Sequence, residues 1–519
     1  MRIRQFALTA LFLLAVLAAC APKREQPKAT ESPTALPVAS EPTKLTRFVA
    51  AGDDWGYPSP FAFYQRGPGY IRMSYLFDTL VWKDEEGTIP WLAESWDLAE
   101  DGMTWTFVLR QDVTWHDGQP LTADDVAFSY SYLAAAFDSG MVKWGWPLDI
   151  VTSVEASEDG QSVQIKIAEP TAGLLTDLFG SMPIIPKHIW EGVEDPVKKL
   201  DEQAVMGSGP FVLHEYNKEE GRYVYHANPD YFMGAPNIDE LVFIRVQDAS
   251  LALMSEEIDE SSFSGKAIVA VEAFQGDDRF EILEGPNYWT LKLYYNTDRA
   301  PLDRRQVRQA IAYAVDRPEI VEKAQLGGAL VASTGLLSPG TFWHNPNLRT
   351  YDRDLAKSEA MLTEAGALPL SLEVITTATY EREAELIATQ LAEVGIELTV
   401  KIGDRATVDA LLNDGDFDLL VTGHGGMANP DLDTPSPVWH NEAYQTVYQQ
   451  SLLAVTDDAK RQSLVWKMQE IIAEELPVLA LWHPLMWDIY RPGVVEPFYT
   501  MEGVDGGIPL PANKWMFLR

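Results

Sequence analysis

The chain contains 519 residues, with a formal net charge of −37 and a single cysteine. This length exceeds what one compact domain usually holds, so two or three lobes are expected. Nucleic-acid binding is excluded as a main activity, because so acidic a chain repels phosphate groups and has no stripe of Lys and Arg. The lone Cys20 excludes a disulfide framework within the chain.

The first 45 residues have the pattern of an export signal followed by a tether. Arg2 and Arg4 precede an apolar run of about a dozen residues, shorter than the roughly 20 that span a bilayer. The run ends in Leu-Ala-Ala-Cys, which resembles the lipobox of prokaryotic lipoproteins, where the cysteine is acylated. We expect residues 1–20 to be a lipoprotein signal peptide ending at the lipid-attachment residue Cys20, with an uncleaved membrane anchor as the alternative. Residues 21–45 are rich in Pro, Ser and Thr and predict a disordered tether.

The folded body begins with clear strand and helix signals. Thr104–Leu109 is β-branched and aromatic, which predicts a strand. Thr122 and Asp125 have the spacing of a capping box at the start of a helix. Residues 303–325 predict two helices, the second of which begins after the capping residue Asp316.

The segment 371–402 predicts a strand, a helix and a second strand joined by short turns. Such a unit forms a right-handed crossover, and its two strands are parallel. Residues 418–422 predict a further buried strand, so the region 290–487 is expected to be α/β. Residues 210–247 predict antiparallel strands instead.

Short blocks along the chain match the pattern of a known family in the same order. The blocks are Pro90–Trp96, Trp105–Arg110, His116–Gly118, Thr122–Val126, Gly207–Phe211, Asn228–Phe232, Tyr295–Thr297, Val307–Ile311, Ala314–Asp316 and Asp416–Asp418. Together they resemble the peptide/nickel class of bacterial extracellular solute-binding proteins, family 5. The resemblance covers roughly residues 46–490, and collinear blocks on this scale are far more specific than any one motif.

The resemblance implies an α/β fold of two lobes joined by a hinge, the type II periplasmic-binding-protein fold with an extra subdomain. The ligand is enclosed between the lobes, and contact with both lobes favours the closed state. By this analogy lobe I comprises residues 46–90, 205–287 and 488–519. An inserted subdomain of lobe I comprises residues 91–204, and lobe II comprises residues 288–487.

The resemblance also implies the function of a substrate-binding lipoprotein of an ABC importer. Such a protein is exported, is lipid-anchored to the cell membrane facing the periplasm or the cell exterior, and delivers a small solute to a membrane permease. An oligopeptide is the favoured ligand and an oligosaccharide is the alternative; a monomer without a cofactor is expected. A secreted hydrolase is a remote alternative, since the sequence contains no HExxH, GxSxG or phosphate-loop motif.

Two stretches, residues 55–70 and 423–433, are the candidate ligand-binding regions by analogy, because backbone groups there flank an extended ligand in peptide-binding relatives. Gly423, Gly425 and Gly426 would let the backbone approach a ligand closely. Two tryptophans in a separate loop supply aromatic faces for a peptide side chain or a sugar ring. The predicted ligand-binding residues are Trp55, Tyr57, Tyr64, Gln65, Arg66, Tyr70, Trp144, Trp146, His424, Gly425, Gly426, Met427, Asn429, Asp431 and Asp433.

The second stretch departs from the pattern of peptide-binding relatives. These commonly carry an aspartate after a glycine-tryptophan step, and that aspartate holds the free amine of the peptide. Here His424 replaces the tryptophan, and Met427 stands where the acid is expected. Asp431 and Asp433 follow as candidate replacements, and the departure leaves room for sugars, opines and other small solutes. His424 and His440 alone make no metal-ligand pattern, so no metal is expected.

Overall fold

The computed structural model describes residues 45–63, 67–84, 87–141, 146–286, 289–425, 435–492 and 513–518. The strands in these ranges are β1 Leu45–Gly52, β2 Val81–Asp84, β3 Gly87–Pro90, β4 Ala93–Leu98, β5 Thr104–Leu109, β6 Val151–Ala156, β7 Ser162–Ile167, β8 Phe211–Asn217, β9 Arg222–Ala227, β10 Ile238–Arg245, β11 Glu260–Ser264, β12 Glu281–Pro286, β13 Trp289–Tyr295, β14 Ala329–Val331, β15 Leu370–Thr377, β16 Ile396–Gly403, β17 Leu419–Gly425 and β18 Val478–Tyr490. The α-helices are α1 Pro68–Ser74, α2 Ala123–Asp138, α3 Lys187–Trp190, α4 Ala249–Met254, α5 Ile268–Val271, α6 Arg305–Ala314, α7 Arg317–Gln325, α8 Leu355–Glu364, α9 Glu381–Ala392, α10 Arg405–Asp414, α11 Glu442–Leu452 and α12 Asp458–Glu475.

The long strand β18 joins two groups of strands and thereby two lobes. Its second half pairs with β11 and β12, and β11 continues into the order β1–β10–β9–β8. This group forms the sheet of lobe I. The first half of β18 pairs with β13, which continues into the order β17–β15–β16 and forms the sheet of lobe II. The predicted two-lobed α/β fold is confirmed, and β18 crosses between the lobes as an unbroken strand.

Lobe I also carries a separate four-stranded sheet in the order β4–β5–β7–β6. Helix α2 covers this sheet and buries Val126, Tyr130 and Leu133, three residues spaced to share one helix face. The sheet lies inside the range 91–204 assigned to an inserted subdomain. The residue boundaries of the lobes and of the subdomain stay predictions.

The local elements expected from the sequence form as predicted. β15 and β16 flank α9 and pair in parallel, with Leu370 opposite Ile396. At the start of α2 the Asp125 carboxylate accepts hydrogen bonds from the backbone N–H and the hydroxyl of Thr122, both at 2.9 Å. The strands β8, β9 and β10 are antiparallel, as the segment 210–247 indicates.

The small-residue turn before β8 has a steric cause. A Cβ atom at Gly207 would lie 1.8 Å from the carbonyl oxygen of Leu76, and one at Gly209 would lie 2.4 Å from that of Tyr75. Both separations are far below van der Waals contact, so the backbone of this turn packs directly on the segment that follows α1. Only glycine permits so close an approach.

A buried ion pair fixes the last described residues to lobe I. The Nζ atom of Lys514 lies 2.7 Å from the Asp78 carboxylate, and both side chains are fully buried. Asp78 also accepts hydrogen bonds from the Nε1 of Trp91, the Oγ of Ser208 and the hydroxyl of Tyr231. The carboxylate therefore has donors on every side, which is the condition under which a buried charge is tolerated.

None of the helices in the described ranges combines the length and the apolar character needed to cross a bilayer.

Candidate functional site

The sheet of lobe II has one edge that faces lobe I. β15 and β17 are parallel, so their carboxyl ends, Thr377 and Gly425, lie at the same edge. Trp289 begins β13 opposite Gly425, and the pairing of β13 with β18 ends at the neighbouring Trp482. In open α/β sheets the crevice outside the carboxyl ends of the strands is the usual ligand site.

Lobe I presents a matching edge. β1 is parallel to β10 and β11, and their carboxyl ends are Gly52, Arg245 and Ser264. Ser264 lies opposite Met486, where the pairing of β11 with β18 begins. Trp482 and Met486 are four positions apart, a separation of about 13 Å along an extended strand. The two carboxyl edges therefore face each other across the hinge and enclose the candidate ligand cleft.

A rigid loop follows β1 on the lobe I side of the cleft. The hydroxyl of Tyr223 accepts a hydrogen bond from the backbone N–H of Trp55 at 2.7 Å and donates to the carbonyl of Gly56 at 2.8 Å. The Tyr216 hydroxyl donates to the Asp54 carboxylate at 2.6 Å. Burial raises the pKa of Tyr223 to about 12, so it stays protonated and able to donate. These bonds fix the backbone of residues 54–56 at the cleft edge.

The structure places four predicted ligand residues on lobe I. Trp55 and Tyr57 are half-buried in the loop after β1, and the Tyr57 hydroxyl donates to the carbonyl of Asp201 at 3.0 Å. Tyr70 lies on α1 and its ring packs 6.5 Å from that of Phe63. Trp146 is half-buried against the core of lobe I. Trp55 and Tyr57 thus lie next to the facing edge, whereas Tyr70 and Trp146 have packing contacts of their own.

The remaining predicted residues lie largely outside the described ranges. His424 and Gly425 form the last residues of β17, opposite Thr290 and Trp289, which brings their backbone to the lobe II edge. The structure does not describe the side chain of His424. The following residues also lie outside the described ranges: the lipid-attachment residue Cys20 and the predicted ligand residues Tyr64, Gln65, Arg66, Trp144, Gly426, Met427, Asn429, Asp431 and Asp433.

Sequence reasoning missed an aromatic group at the lobe II edge. The ring centroid of Trp289 lies 5.2 Å from that of Trp482 and 5.7 Å from that of Tyr380. A Cβ atom at Gly423 would lie 1.8 Å from Cζ2 of Trp289. On the side where Gly423 lacks a side chain, the closely approaching group is therefore the Trp289 indole. The group presents aromatic surface beside the end of β17.

Two buried carboxyl groups lie behind the lobe I edge. The Ser262 hydroxyl lies between Glu260 on β11 and Asp488 on β18, at 3.4 Å from the Glu260 carboxyl, and it donates to Asp488 at 2.8 Å. Burial and the neighbouring Asp488 carboxylate raise the pKa of Glu260 well above its usual range, and burial also raises the pKa of Asp488. The pair therefore holds a proton that the unfolded chain releases above about pH 4.5.

This proton gives a testable pH dependence. Because the folded state binds one more proton than the unfolded state, the pair lowers stability progressively as pH rises from about 4.5 toward the folded pKa. In the Glu260→Gln variant the side-chain amide can still donate to Asp488, and it does so without binding a proton. We expect the variant to gain stability relative to the wild type by up to about 1.4 kcal/mol per pH unit over this range. Urea unfolding at pH 5, 6, 7 and 8 measures the difference.

The exposed Glu257 gives the control, since Glu257→Gln changes the same chemical group outside the buried pair. A constant difference between Glu260→Gln and wild type across this pH range would contradict a proton held by Glu260 and Asp488.

The two lobes also touch away from the hinge. The backbone N–H of Ala172, in the loop after β7, donates to the carbonyl of Leu452 at the end of α11, at 2.7 Å. Val455, just beyond, packs against the core of lobe I, while α11 packs on α12, whose buried face belongs to a core of lobe II. This interlobe contact joins the two lobes at a second place, away from β18.

Among the described residues, no group of three His, Cys, Asp or Glu side chains has the geometry to hold a metal ion. The candidate site thus consists of two facing strand edges, a fixed loop and an aromatic group.

Two α/β lobes that enclose a cleft and are joined by a crossing strand define a periplasmic-type solute-binding protein. Residues 87–446 match the family described as bacterial extracellular solute-binding proteins, family 5 middle, and the chain belongs to this family. The resemblance seen in the sequence is confirmed. The family consists of extracellular solute-binding proteins, so the chain is a substrate-binding protein of an ABC importer.

One relative and two solved structures illustrate the proteins to which this chain is similar. The chain is 29% identical over 449 residues to the dipeptide-binding protein of Escherichia coli K12, an alignment covering 78% of this chain and 82% of that protein. The structure of the ABC transporter substrate-binding protein CtaP from Listeria monocytogenes is similar with a TM-score of 0.74 and 25% identity, covering 89% of this chain and 98% of CtaP. NikA from Brucella suis in complex with Fe(III)-EDTA has a TM-score of 0.75 at 22% identity, covering 89% and 99% of the two chains.

Proposed function

We propose that this chain captures short peptides between its lobes and delivers them to the permease of an ABC importer. The observation that supports a peptide most directly is the 29% identity to a dipeptide-binding protein along most of both chains. The loop of residues 54–56, which Tyr223 fixes, and the end of β17 lie at facing edges, where an extended peptide can bond to main-chain groups that the Tyr223 contacts do not use.

The proposal includes the membrane attachment. Acylation of Cys20 would hold the protein at the membrane surface, and residues 21–45 would give the folded body reach above it. This arrangement keeps the loaded clamp near its permease. Treating cells with labelled palmitate and comparing wild type with Cys20→Ala tests the attachment: label incorporated equally by both proteins would contradict it.

An oligosaccharide is the second candidate ligand, and the aromatic group of Trp289, Tyr380 and Trp482 is the observation that favours it. Flat aromatic surface stacks on sugar rings as well as on peptide side chains.

A thermal-shift screen against di- and tripeptides, oligosaccharides and nickel chelates separates these ligands. A ligand present at 100 times its Kd stabilises the folded state by about 2.7 kcal/mol, which raises the melting temperature by a few degrees. We expect the shift with peptides. A shift with oligosaccharides alone would replace peptide transport by sugar transport. Mass spectrometry of the recovered ligand must show it unchanged, because a cleaved ligand would indicate a hydrolase.

A further inference from the structure

Arg72, on helix α1, is a buried cation with an unusual environment. Its side chain is only 5% exposed, and its Nε atom has no hydrogen-bond partner. Within the described part of the chain, no carboxylate lies within ion-pair distance of its guanidinium. Its close neighbours are aromatic: the guanidinium carbon lies 3.1 Å from the ring centroid of Phe243 and 5.7 Å from that of Tyr223.

Two other well-buried arginines, Arg308 and Arg317, have acceptors for their donors. Arg308 donates to the backbone carbonyls of Leu302, Asp303, Glu475 and Leu476. Arg317 donates to the carbonyls of Ala332 and Ala480, at 2.8 and 3.1 Å. A guanidinium stays charged in proteins and has five N–H donors, so burial without acceptors is costly. Arg72 therefore needs a compensating group that Arg308 and Arg317 already have.

Arg72 extends to the lobe I edge of the cleft. Its Nη2 atom lies 3.1 Å from the position that a Cβ atom of Gly52 would take, and Gly52 is the carboxyl end of β1. The absent side chain at Gly52 leaves room for the guanidinium. The next residues along the chain form the fixed loop, and Tyr223, which holds that loop, is also the ring beside Arg72.

No acidic side chain in the described part of the chain forms an ion pair with Arg72. Glu260 interacts with Arg72 electrostatically without forming an ion pair with it, and burial and the Asp488 carboxylate raise the pKa of Glu260 well above the usual range. Asp53, just after Gly52, pairs instead with Arg245 at 2.5 Å. The guanidinium of Arg72 therefore has, among the described residues, no hydrogen-bonded or ion-paired acceptor of its own, at an edge of a chain whose net charge is −37.

We propose that Arg72 binds a carboxylate of the transported solute, so that the ligand places its acid group on lobe I beside Gly52. A carboxylate fits the fork of guanidinium donors in a bidentate manner and supplies the missing acceptors. In a strongly acidic protein, a local cation of this kind is required to hold an anionic group against long-range repulsion. This inference rests on the proposed function and adds to it which chemical group the ligand must carry and where that group lies.

The test compares ligand pairs that differ only in the acid group. Di- and tripeptides found by thermal shift are assayed by calorimetry with a free C-terminal carboxylate and as their C-terminal amides. We expect wild type to prefer the carboxylate by about 10- to 100-fold, the range of charge-assisted hydrogen bonds. Arg72→Met should lose this preference through weaker carboxylate binding, while binding of the amide stays within about twofold.

Stability without ligand separates binding from a structural role. Since Arg72→Met removes an uncompensated buried charge and keeps apolar contact with Phe243, its melting temperature should equal or exceed that of wild type. The control Arg317→Met breaks satisfied hydrogen bonds, so it should lower the melting temperature and leave the carboxylate preference unchanged. A destabilised Arg72→Met that keeps the preference would overturn the proposal and assign Arg72 a structural ion pair with Glu260.

If no peptide binds, the proposed peptide function fails but the carboxylate site is still tested. Succinate and acetate at millimolar concentration then serve as probes, with succinamide as the neutral control. A melting-temperature rise in wild type that is absent from Arg72→Met supports the site. Equal responses of the two proteins to the carboxylates would overturn it.

Discussion

Replacing Lys514 with Met is expected to lower the free energy of unfolding by about 3–5 kcal/mol. The substitution leaves Asp78 charged and fully buried without its cation, although Trp91, Ser208 and Tyr231 still donate to it. It also removes an ammonium that lies 4.3 Å from the ring centroid of Trp82. Urea unfolding followed by circular dichroism measures the change.

Two further variants show whether the buried charge is the cause. The double variant Asp78→Asn, Lys514→Met removes both charges and should recover a large part of the lost stability. Lys198→Met removes an exposed lysine from a surface pair with Asp195 and should leave the unfolding midpoint unchanged. If Lys514→Met behaves like Lys198→Met, the ion pair does not hold the C-terminal segment to lobe I.

Gly423→Ala is expected to destabilise lobe II by about 1–3 kcal/mol and to weaken ligand binding. Its Cβ atom would lie 1.8 Å from the Trp289 indole, so the ring must leave its position between β17 and Trp482. Because the displaced ring belongs to the aromatic group beside the cleft, ligand affinity should fall together with stability. Urea unfolding, tryptophan fluorescence and calorimetry with the thermal-shift ligand measure the three effects.

A smaller residue at position 289 should remove the clash. In the background of Trp289→Leu, the added methyl group of Gly423→Ala should cost well under 1 kcal/mol, which makes the two substitutions strongly non-additive. Gly403→Ala at the end of β16 is the matched control, since its Cβ atom would meet neighbours only at 3.4 Å or more. Additive effects of the substitutions at 289 and 423 would show that Trp289 does not occupy the space above Gly423.

The sequence predicted those parts of the fold that depend on neighbouring residues. The unit containing β15, α9 and β16 has its strand and helix periods in one continuous segment, and it forms with the expected parallel pairing. The capping box of Thr122 and Asp125 needs residues only three apart, and it forms as well. The collinear blocks identified the family, and with it the two-lobed arrangement.

Features that depend on distant partners were not predictable in this way. Trp289 and Gly423 are 134 positions apart. The sequence alone therefore does not show that the missing side chain of Gly423 makes room for the Trp289 indole. Arg72 contacts Phe243 only because α1 packs on the lobe I sheet. The strand Val478–Tyr490 is mostly apolar, with His483 and Asp488 as exceptions, and its sequence does not show which distant strands pair with each half.

The contact between Ala172 and Leu452 has a consequence for the apparent affinity of the protein for its ligands. Apparent affinity equals intrinsic affinity scaled by the fraction of molecules in the binding-competent closed state. This backbone contact contributes to that fraction without involving any ligand atom. A change at the loop after β7 therefore multiplies the affinity for every solute by a common factor and leaves their ranking intact. Selectivity and ease of release to the permease are thus adjustable at separate places in the chain.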